Sequence, residues 1–140
     1  MTPSDLAATH RLAFAHERPW SAVEFADLLA QRGVILCGMA DSFILGRVTF
    51  DEAEVLTLAT APDHRRRGLA RAALTEFNDR AMRVGAQTVF LEAAADNDAA
   101  IALYRACDFA TVGRRRAYYV RKDAPAADAL VMRRDLTERA

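Results

Sequence analysis

The sequence has few of the features that would place it outside the ordinary globular proteins. Only two of its 140 residues are cysteine, Cys37 and Cys107, and neither lies at a spacing used by disulfide frameworks or metal sites. No window approaches the roughly 20 apolar residues that a membrane-spanning helix needs. The first residues show no basic segment followed by an apolar one. We therefore expect a reduced, soluble, cytoplasmic protein that binds neither a metal nor a membrane.

The chain also lacks an excess of either charge. Its 19 basic and 19 acidic residues cancel, and 52% hydrophobic with 27% charged residues exclude a disordered, collagen-like or fibrous chain. The charge is unevenly distributed, because residues 63–122 carry twelve basic and seven acidic side chains and the remainder carries the opposite balance. This asymmetry predicts a local anionic ligand for the middle segment rather than direct nucleic-acid binding. The length predicts one domain over residues 1–140.

Local patterns predict four helices and six strands. The first helix is capped by Thr2, the second opens on the capping box of Ser21 and Glu24 and stops at Gly33, and the last opens at Asp96. The third helix is predicted between residues 68 and 85, and the strands at residues 34–39, 43–50, 54–60, 88–93, 110–120 and 130–135, with a loop at residues 122–128. Their order predicts a mixed α/β sheet with helices on its faces.

The segment Pro62-Asp-His-Arg65-Arg-Arg-Gly68-Leu-Ala70 lies between a predicted strand and a predicted helix. A bare turn at the start of a helix aims several free backbone N–H groups, and the positive end of the helix dipole, at one point. Three arginines beside this turn add donors suited to phosphate. The segment predicts an anion site, although an arginine-rich turn can also be a solvated helix start.

Several segments resemble one family. Arg65-x-x-Gly68-x-Ala70 resembles the Q/R-x-x-G-x-G/A acetyl-coenzyme A signature of the GNAT N-acetyltransferase superfamily, and Leu91-Glu92, the segment from Asn97 to Tyr104, and Asp108-Phe109 resemble later parts of the same family. The segments Arg18-Pro-Trp-Ser21, Arg114-Arg115-Arg116-Ala-Tyr-Tyr119 and Asp128-Ala-Leu-Val-Met132 resemble the RimI branch, which acetylates the N-terminal alanine of a small-subunit ribosomal protein. Asp108 stands where the family usually has glycine, which suggests a changed turn.

The resemblance implies a fold and a cosubstrate. The fold is a mixed, mostly antiparallel central sheet that is splayed at the cofactor site, with helices on both faces. The cosubstrate is acetyl-CoA, without a metal. The residues that the resemblance assigns to its binding are Leu58, Ala59, Thr60, Arg65, Arg66, Arg67, Gly68, Leu69, Ala70, Arg71, Asn97 and Tyr104, the first three through their backbone.

Two side chains are candidates for the chemistry of acetyl transfer. Glu92 ends a short apolar strand, and the ends of strands are common binding positions in α/β sheets. A helix capped at Asp96 places Asn97 and Tyr104 on one stripe. The resemblance implies that Glu92 is the general base and that Tyr104 is the general acid. The alternatives are a strand-end glutamate that pairs with an arginine, and a core tyrosine.

Trp20, Phe25, Tyr118 and Tyr119 are candidates for the acceptor groove, although Trp20 and Phe25 could equally be packing residues. Glu52 and Glu54 could attract the amino terminus of an acceptor. The expected partner is a protein or peptide N-terminus, such as that of a small-subunit ribosomal protein, and the expected oligomeric state is a monomer or weak dimer. Two alternatives stay open, a GNAT enzyme acting on lysine or a small amine, and a CoA-binding module without turnover.

Overall fold

The computed structural model describes residues 1–14, 18–65, 67–121 and 123–136. Arg66, assigned above to cofactor binding, and Lys122, the first residue of the predicted last loop, lie outside the described residues. The helices are α1 (Pro3–Ala13), α2 (Ala22–Leu29), α3 (Leu69–Arg83) and α4 (Asp98–Ala106), with a 3-10 turn at Pro62–His64. The strands are β1 (Val34–Met39), β2 (Ser42–Thr49), β3 (Glu52–Thr60), β4 (Thr88–Ala94), β5 (Ala110–Tyr119) and β6 (Ala127–Asp135). No helix of the described part of the chain is long and apolar enough to cross a membrane.

The capping signals at the two N-terminal helices are confirmed. Thr2 caps α1, and Ser21 accepts a hydrogen bond from the backbone N–H of Glu24 while the Glu24 carboxylate accepts one from the N–H of Ser21. The predicted cap of α4 is wrong by one residue. Asn97 is the cap, because its side chain accepts from the N–H of Ala100 at 3.2 Å. The carboxylate of Asp96 is instead bound by a guanidinium from a later loop.

Other predicted boundaries also shift, and those of α2 and β6 shift most. Helix α2 ends at Leu29, before Gly33, because the N–H of Gln31 donates to the oxygen of Leu28, three residues back, in a turn tighter than the helix. Strand β6 begins at Ala127 rather than at residue 130, because its first residues pair with β4 and β5. Segments that periodicity assigns to a loop thus become strand where a neighbouring strand supplies hydrogen-bond partners.

The six strands form one sheet in the order β1-β2-β3-β4-β6-β5. Every neighbouring pair is antiparallel except β3 and β4, which run parallel. Pairing between β3 and β4 covers only Glu52–Glu54 against Thr88–Phe90, after which the two strands are no longer paired with each other. The sheet is therefore splayed between the C-terminal halves of β3 and β4. The predicted mixed, mostly antiparallel, splayed sheet is confirmed.

Helices cover both faces of the sheet, and alternation along β2 shows how. Phe43 and Leu45 join a buried cluster with α1 and α2, whereas Ile44, which points the other way, joins a larger cluster with α3 and α4. We refer to these two sides as the α1–α2 face and the α3–α4 face. Both clusters are dominated by fully buried apolar side chains, so the hydrophobic effect holds helices to each side of the same strands.

Strand β3 contains a bulge next to the splay. Leu45 lies opposite Thr57 and Gly46 lies opposite Val55, so Leu56 is an extra residue in β3. A bulge leaves one residue out of the ladder and re-aims the backbone beyond it. The extra residue lies two positions before Leu58, the first residue of the segment assigned above to the backbone contacts with acetyl-CoA.

The turn at Asp108 has the shape that glycine favours. Its φ of 70° is the left-handed conformation that glycine adopts after a helix. An aspartate therefore stands in a conformation that strains a residue bearing a Cβ. The short, polar side chain of aspartate tolerates this conformation better than most.

Asp108→Gly is expected to raise the free energy of unfolding by about 0.5–1 kcal/mol, because it removes this strain at some cost in unfolded-state entropy. Asp108 is 81% exposed and lies 3.9 Å from Arg134, so the lost ion pair contributes little. Urea unfolding measures the change. Asp108→Ala is the matched control: it removes the same charge but keeps a Cβ, and it should be less stable than the wild type. Equal stability of the glycine and alanine variants would contradict the argument from strain.

Candidate active site

The anion site predicted at the start of α3 has the backbone that an anion needs. Gly68 caps α3 in the left-handed conformation, with φ of 73°, and no side chain caps the helix. A Cβ built on Gly68 would meet nothing within 4 Å, so a ligand can approach this backbone closely. Arg67 and Arg71 flank it and are exposed. Free N–H groups, helix dipole and guanidinium groups together fit a phosphate.

Arg65 makes a different contact. Its Nη2 donates to the backbone oxygen of Ala13 at 3.4 Å, at the end of α1. Leu69 and Ala70 begin α3 and are half-buried. The guanidinium of Arg65 thus ties the turn before α3 to the C-terminal end of α1.

The backbone of β3 borders the splay. The side chain of Leu58 packs into the α3–α4 face, and that of Ala59 is buried on the α1–α2 face. The Thr60 hydroxyl is hydrogen-bonded to Ser42 at 2.9 Å. These side chains are packed in the core or hydrogen-bonded to β2. The backbone is therefore the part of the segment that borders the splay between β3 and β4.

Tyr104 lies on the inner side of α4, at 7% exposure, with its ring packed against Phe109 at 6.1 Å. Burial raises the pKa of the phenol to about 12, so the hydroxyl carries its proton at neutral pH and is a hydrogen-bond donor. Asn97 is exposed, with its side-chain oxygen accepting the capping hydrogen bond. The two residues therefore differ: Tyr104 is enclosed beside the core, and Asn97 sits at the start of the helix.

Glu92 lies on the opposite side of the sheet from Tyr104. Its neighbour Leu91 belongs to the core of the α3–α4 face, and the alternation of β4 turns Glu92 toward the α1–α2 face. The Glu92 side chain is 26% exposed, and its Oε1 lies 3.2 Å from Nε of Arg115. The carboxylate is thus not isolated: it lies at the splay and is paired with an arginine.

The register of the strands explains why Glu92 pairs with Arg115 and not with the neighbouring Arg114. Glu92 lies opposite Val131 of β6, and Val131 lies opposite Gly113 of β5. Arg115 is two residues beyond Gly113, so its side chain emerges on the same face as Glu92. The neighbouring Arg114 instead binds Asp128 on β6, with Nε at 2.6 Å from Oδ2.

The predicted acceptor tyrosines lie at a large bulge in β5. Arg115 pairs with Ala129 and Tyr119 with Ala127, so three residues of β5 lie opposite Asp128 alone. Asp128 accepts from the backbone N–H of Ala117 at 2.8 Å, and Ala117 has a φ of 50°. Tyr118 is half-exposed, its ring 5.3 Å from that of Tyr119 and 5.3 Å from the guanidinium carbon of Arg115. Tyr118 therefore lies beside Arg115, with Tyr119 next to it.

Trp20 and Phe25 belong to an aromatic cluster on the α1–α2 face. Phe25 is 0% exposed and its ring packs edge-on against Phe43, which favours the packing alternative for this residue. Trp20 is half-buried and lies stacked on His10, with ring centroids 5.0 Å apart. The backbone N–H of Trp20 donates to Nδ1 of His10 at 3.2 Å. His10 therefore fixes the position of Trp20.

We expect His10 to make the stability of the protein depend on pH. Burial lowers the pKa of His10 from 6.5 to about 4. As pH falls below 6.5 the unfolded chain takes up a proton and the folded chain does not, so stability should fall until about pH 4, by up to about 3 kcal/mol. Urea unfolding across this range measures it. His10→Phe, which fills the site without titrating, should flatten the dependence; an unchanged slope in that variant would assign the effect elsewhere.

Three features of the site were not found from the sequence. They are the bulge at Leu56, the partner of Glu92, and the clamp in which Asp128 binds both Arg114 and the backbone N–H of Ala117. Each depends on which residues lie opposite one another across strands. A run of three arginines facing an aspartate on the last strand was the available signal for the clamp. Within the described ranges, no group of three or more His, Cys, Asp or Glu side chains is placed to hold a metal ion.

Comparison with known proteins agrees with this geometry. The profile of the acetyltransferase (GNAT) family matches residues 4–109. The [ribosomal protein bS18]-alanine N-acetyltransferase of Escherichia coli K12 is 37% identical over 130 residues, which cover 90% of this chain and 87% of that protein. The N-alpha-acetyltransferase RimI of Mycobacterium tuberculosis is 40% identical over 131 residues, which cover 87% of this chain and 79% of that protein.

The fold has a solved counterpart. The crystal structure of the ribosomal-protein-S18-alanine N-acetyltransferase from Escherichia coli superimposes with a TM-score of 0.86 at 31% identity, covering 99% of this chain and 90% of that one. The splayed sheet, the bare turn before α3 and these relatives lead to one conclusion. The chain belongs to the GNAT acetyltransferase family and is a RimI-like, acetyl-CoA-dependent N-acetyltransferase.

Proposed function

We propose that this protein transfers the acetyl group of acetyl-CoA to the α-amino group of a protein N-terminus, that of an N-terminal alanine in a ribosomal protein. The observation that carries the proposal is that Glu92 lies where β4 is no longer paired with β3, while Tyr104 lies on the other face of the same sheet. Such an arrangement allows an acceptor to enter from one side and a cosubstrate from the other. The names of the relatives, which act on the alanine of bS18, support this choice of acceptor.

The residues around the start of α3 fit the cosubstrate. Acetyl-CoA, when bound, supplies the acetyl group as an activated thioester. The free N–H groups of the first turn of α3, with Gly68, Arg67 and Arg71, would hold its phosphates. The backbone of Leu58, Ala59 and Thr60 would hold the extended arm as an added strand is held. Arg65, Arg66, Leu69, Ala70 and Asn97 complete the proposed cofactor-binding set.

Glu92 would serve as the general base. It accepts, directly or through one water, the proton that the acceptor nitrogen loses as its amide bond forms. Its position on the α1–α2 face places it on the side of the half-buried Trp20, the exposed Tyr118 and Tyr119. Glu54, which points to the same face from β3, adds negative charge that favours a cationic amino terminus. The buried ring of Phe25 packs against the ring of Trp20.

Tyr104 would serve as the hydrogen-bond donor to the leaving sulfur. Its hydroxyl keeps its proton at neutral pH because burial raises its pKa to about 12. The atoms balance: the acceptor nitrogen loses one N–H proton to Glu92 and gains the acetyl group, and the sulfur leaves as a thiolate that is hydrogen-bonded to Tyr104 and takes a proton from solvent. Glu92 returns its proton to solvent, so no group on the protein is consumed.

The chemistry of the acceptor favours an α-amine over lysine. An α-amino group with a pKa of roughly 7.7–8.0 is neutral in about a tenth of molecules at pH 7, whereas a lysine of pKa about 10.4 is neutral in fewer than about one in a thousand. A carboxylate base meets a reactive amine far more often in the first case. An N-terminal amine therefore needs less help from the enzyme.

The test is acetylation of a matched panel, read by mass spectrometry. One peptide begins with a free alanine, a second has the same sequence with a blocked N-terminus and an internal lysine, and a polyamine is the third acceptor. We expect acetylation of the free α-amine alone. Modification of the lysine or polyamine alone would assign the protein to the other acceptors. Stabilisation by acetyl-CoA without any acetylation would show a binding module.

A further inference from the structure

We propose that Arg115 is the positioning residue for Glu92, holding one oxygen of its carboxylate so that the other is presented to the acceptor amine. This inference rests on the proposed function of Glu92 as the base. Arg115 belongs to the arginine run 114–116, in which Arg114 binds Asp128 and the charge of Arg116 also acts on Asp128. Arg115 alone of the three contacts the proposed base.

The contact leaves half of the carboxylate available. Nε of Arg115 lies 3.2 Å from Oε1 of Glu92, and Oε2 has no ion-pair partner within the described part of the chain. A glutamate has three rotatable side-chain bonds, and an exposed one samples several rotamers. Fixing one oxygen reduces that freedom. A base held within hydrogen-bond reach of the amine works better than one that must first find its rotamer.

The fold holds Arg115 from a second side. The guanidinium lies over the ring of Tyr118, with its carbon 5.3 Å from the ring centroid, a cation–π contact. Tyr118 is in place because β5 bulges there, and the bulge is closed by Asp128, which accepts from the N–H of Ala117 and from Nε of Arg114. Both contacts lower the pKa of Asp128, so the clamp is charged at neutral pH.

The neighbouring charged side chains on β3 and β6 have ion-pair partners of their own. Glu54, on the neighbouring strand and the same face, lies 4.0 Å from Arg47. Arg133 of β6 is paired with Asp135 at 3.3 Å. Among the described residues, Arg115 is therefore the cation that the ion pairs assign to Glu92.

A purely structural role would be small. Arg115 is 56% exposed in its side chain, and an exposed ion pair contributes about 0–1 kcal/mol to stability. A strained bulge, a clamp and a stacked ring are more than such a surface pair requires. A role in orienting the base gives each of these contacts a purpose.

The experiment compares Arg115→Gln, Arg115→Lys and, as the matched control, Arg116→Gln on the neighbouring position of the same strand. Steady-state kinetics are measured with the alanine peptide and acetyl-CoA. We expect Arg115→Gln to lower kcat about tenfold or more, part of the full effect of a general base, with an unchanged KM for acetyl-CoA. Arg115→Lys should restore part of the loss, and Arg116→Gln should keep the wild-type kcat. All three should melt at nearly the wild-type temperature.

A spectroscopic measurement tests the contact without turnover. The arginine Nε–H resonance that disappears in Arg115→Lys is identified in a ¹⁵N-labelled sample, and Glu92→Gln should shift it. An unmoved resonance overturns the proposal. A kcat of Arg115→Gln equal to or above that of the wild type also overturns it, because Arg115 would then not assist Glu92. If the wild type acetylates no α-amine, the proposed function fails instead, and the resonance still reports on the pair.

Discussion

Replacing Tyr104 by phenylalanine is expected to lower kcat by about 100-fold or more and to leave the affinity for acetyl-CoA nearly unchanged. The substitution removes one hydroxyl group and keeps the ring, which packs against Phe109 at 6.1 Å within the core. The lost interaction is made only as the sulfur leaves, so the effect should fall on turnover rather than on binding. Single-turnover kinetics together with calorimetric titration of acetyl-CoA separate the two quantities.

The burial of Tyr104 sharpens what its hydroxyl can do. A thiol has a reference pKa of roughly 8.5, and the pKa of Tyr104 is raised to about 12. The phenol is thus a weaker acid than the thiol that forms, and Tyr104 stabilises the leaving sulfur mainly by donating a hydrogen bond. Its ionisation would remove activity only as pH rises through about 12. A loss of rate at much lower pH must then come from another group.

Two outcomes would contradict this assignment. A kcat for Tyr104→Phe within about twofold of the wild type would return Tyr104 to the alternative of a core tyrosine. A parallel loss of acetyl-CoA affinity and melting temperature would show that the variant disturbs α4 rather than the chemistry. Glu92→Gln provides the comparison on the other face: it should lower kcat as well, through proton acceptance, and leave the cosubstrate site on the α3–α4 face intact.

Local features of the fold were predictable from sequence because their causes are local. The capping box of Ser21 and Glu24 needs only residues three apart, and both of its hydrogen bonds form. The left-handed turn at Gly68 follows from a glycine placed before an amphipathic helix. These signals located the turn at the start of α3, where the free backbone donors of the proposed phosphate site lie.

The parts that sequence could not provide depend on pairing across strands. Asp96 and Asn97 are equally good capping residues, and the choice is made by a guanidinium from a distant loop that binds Asp96. Glu92 follows three apolar residues in its strand, and nothing near it in sequence names Arg115 as its partner. That contact exists because β6 lies between β4 and β5 in a particular register. The same holds for the bulge in β3.

Gly68→Ala is expected to weaken acetyl-CoA binding about tenfold or more, an effect of roughly 1.4 kcal/mol or above. Two causes act together. A Cβ would occupy open space beside the first turn of α3, where nothing lies within 4 Å, and a φ of 73° strains any residue other than glycine, so the free N–H groups shift. Isothermal titration with acetyl-CoA and with CoA gives the change in Kd, which should be the same for both.

Gly85→Ala is the matched control for Gly68→Ala. Gly85 follows the other end of α3, has a φ of 105°, and a Cβ built on it would also meet nothing within 4 Å. Both variants should lose about 1–2 kcal/mol of stability through backbone strain, and only Gly68→Ala should lose affinity. Equal losses of affinity would mean that strain in α3 weakens binding from either end. Wild-type affinity in Gly68→Ala would mean that the phosphates bind away from this turn, and the proposed cosubstrate site would then have to move along the splay toward β4.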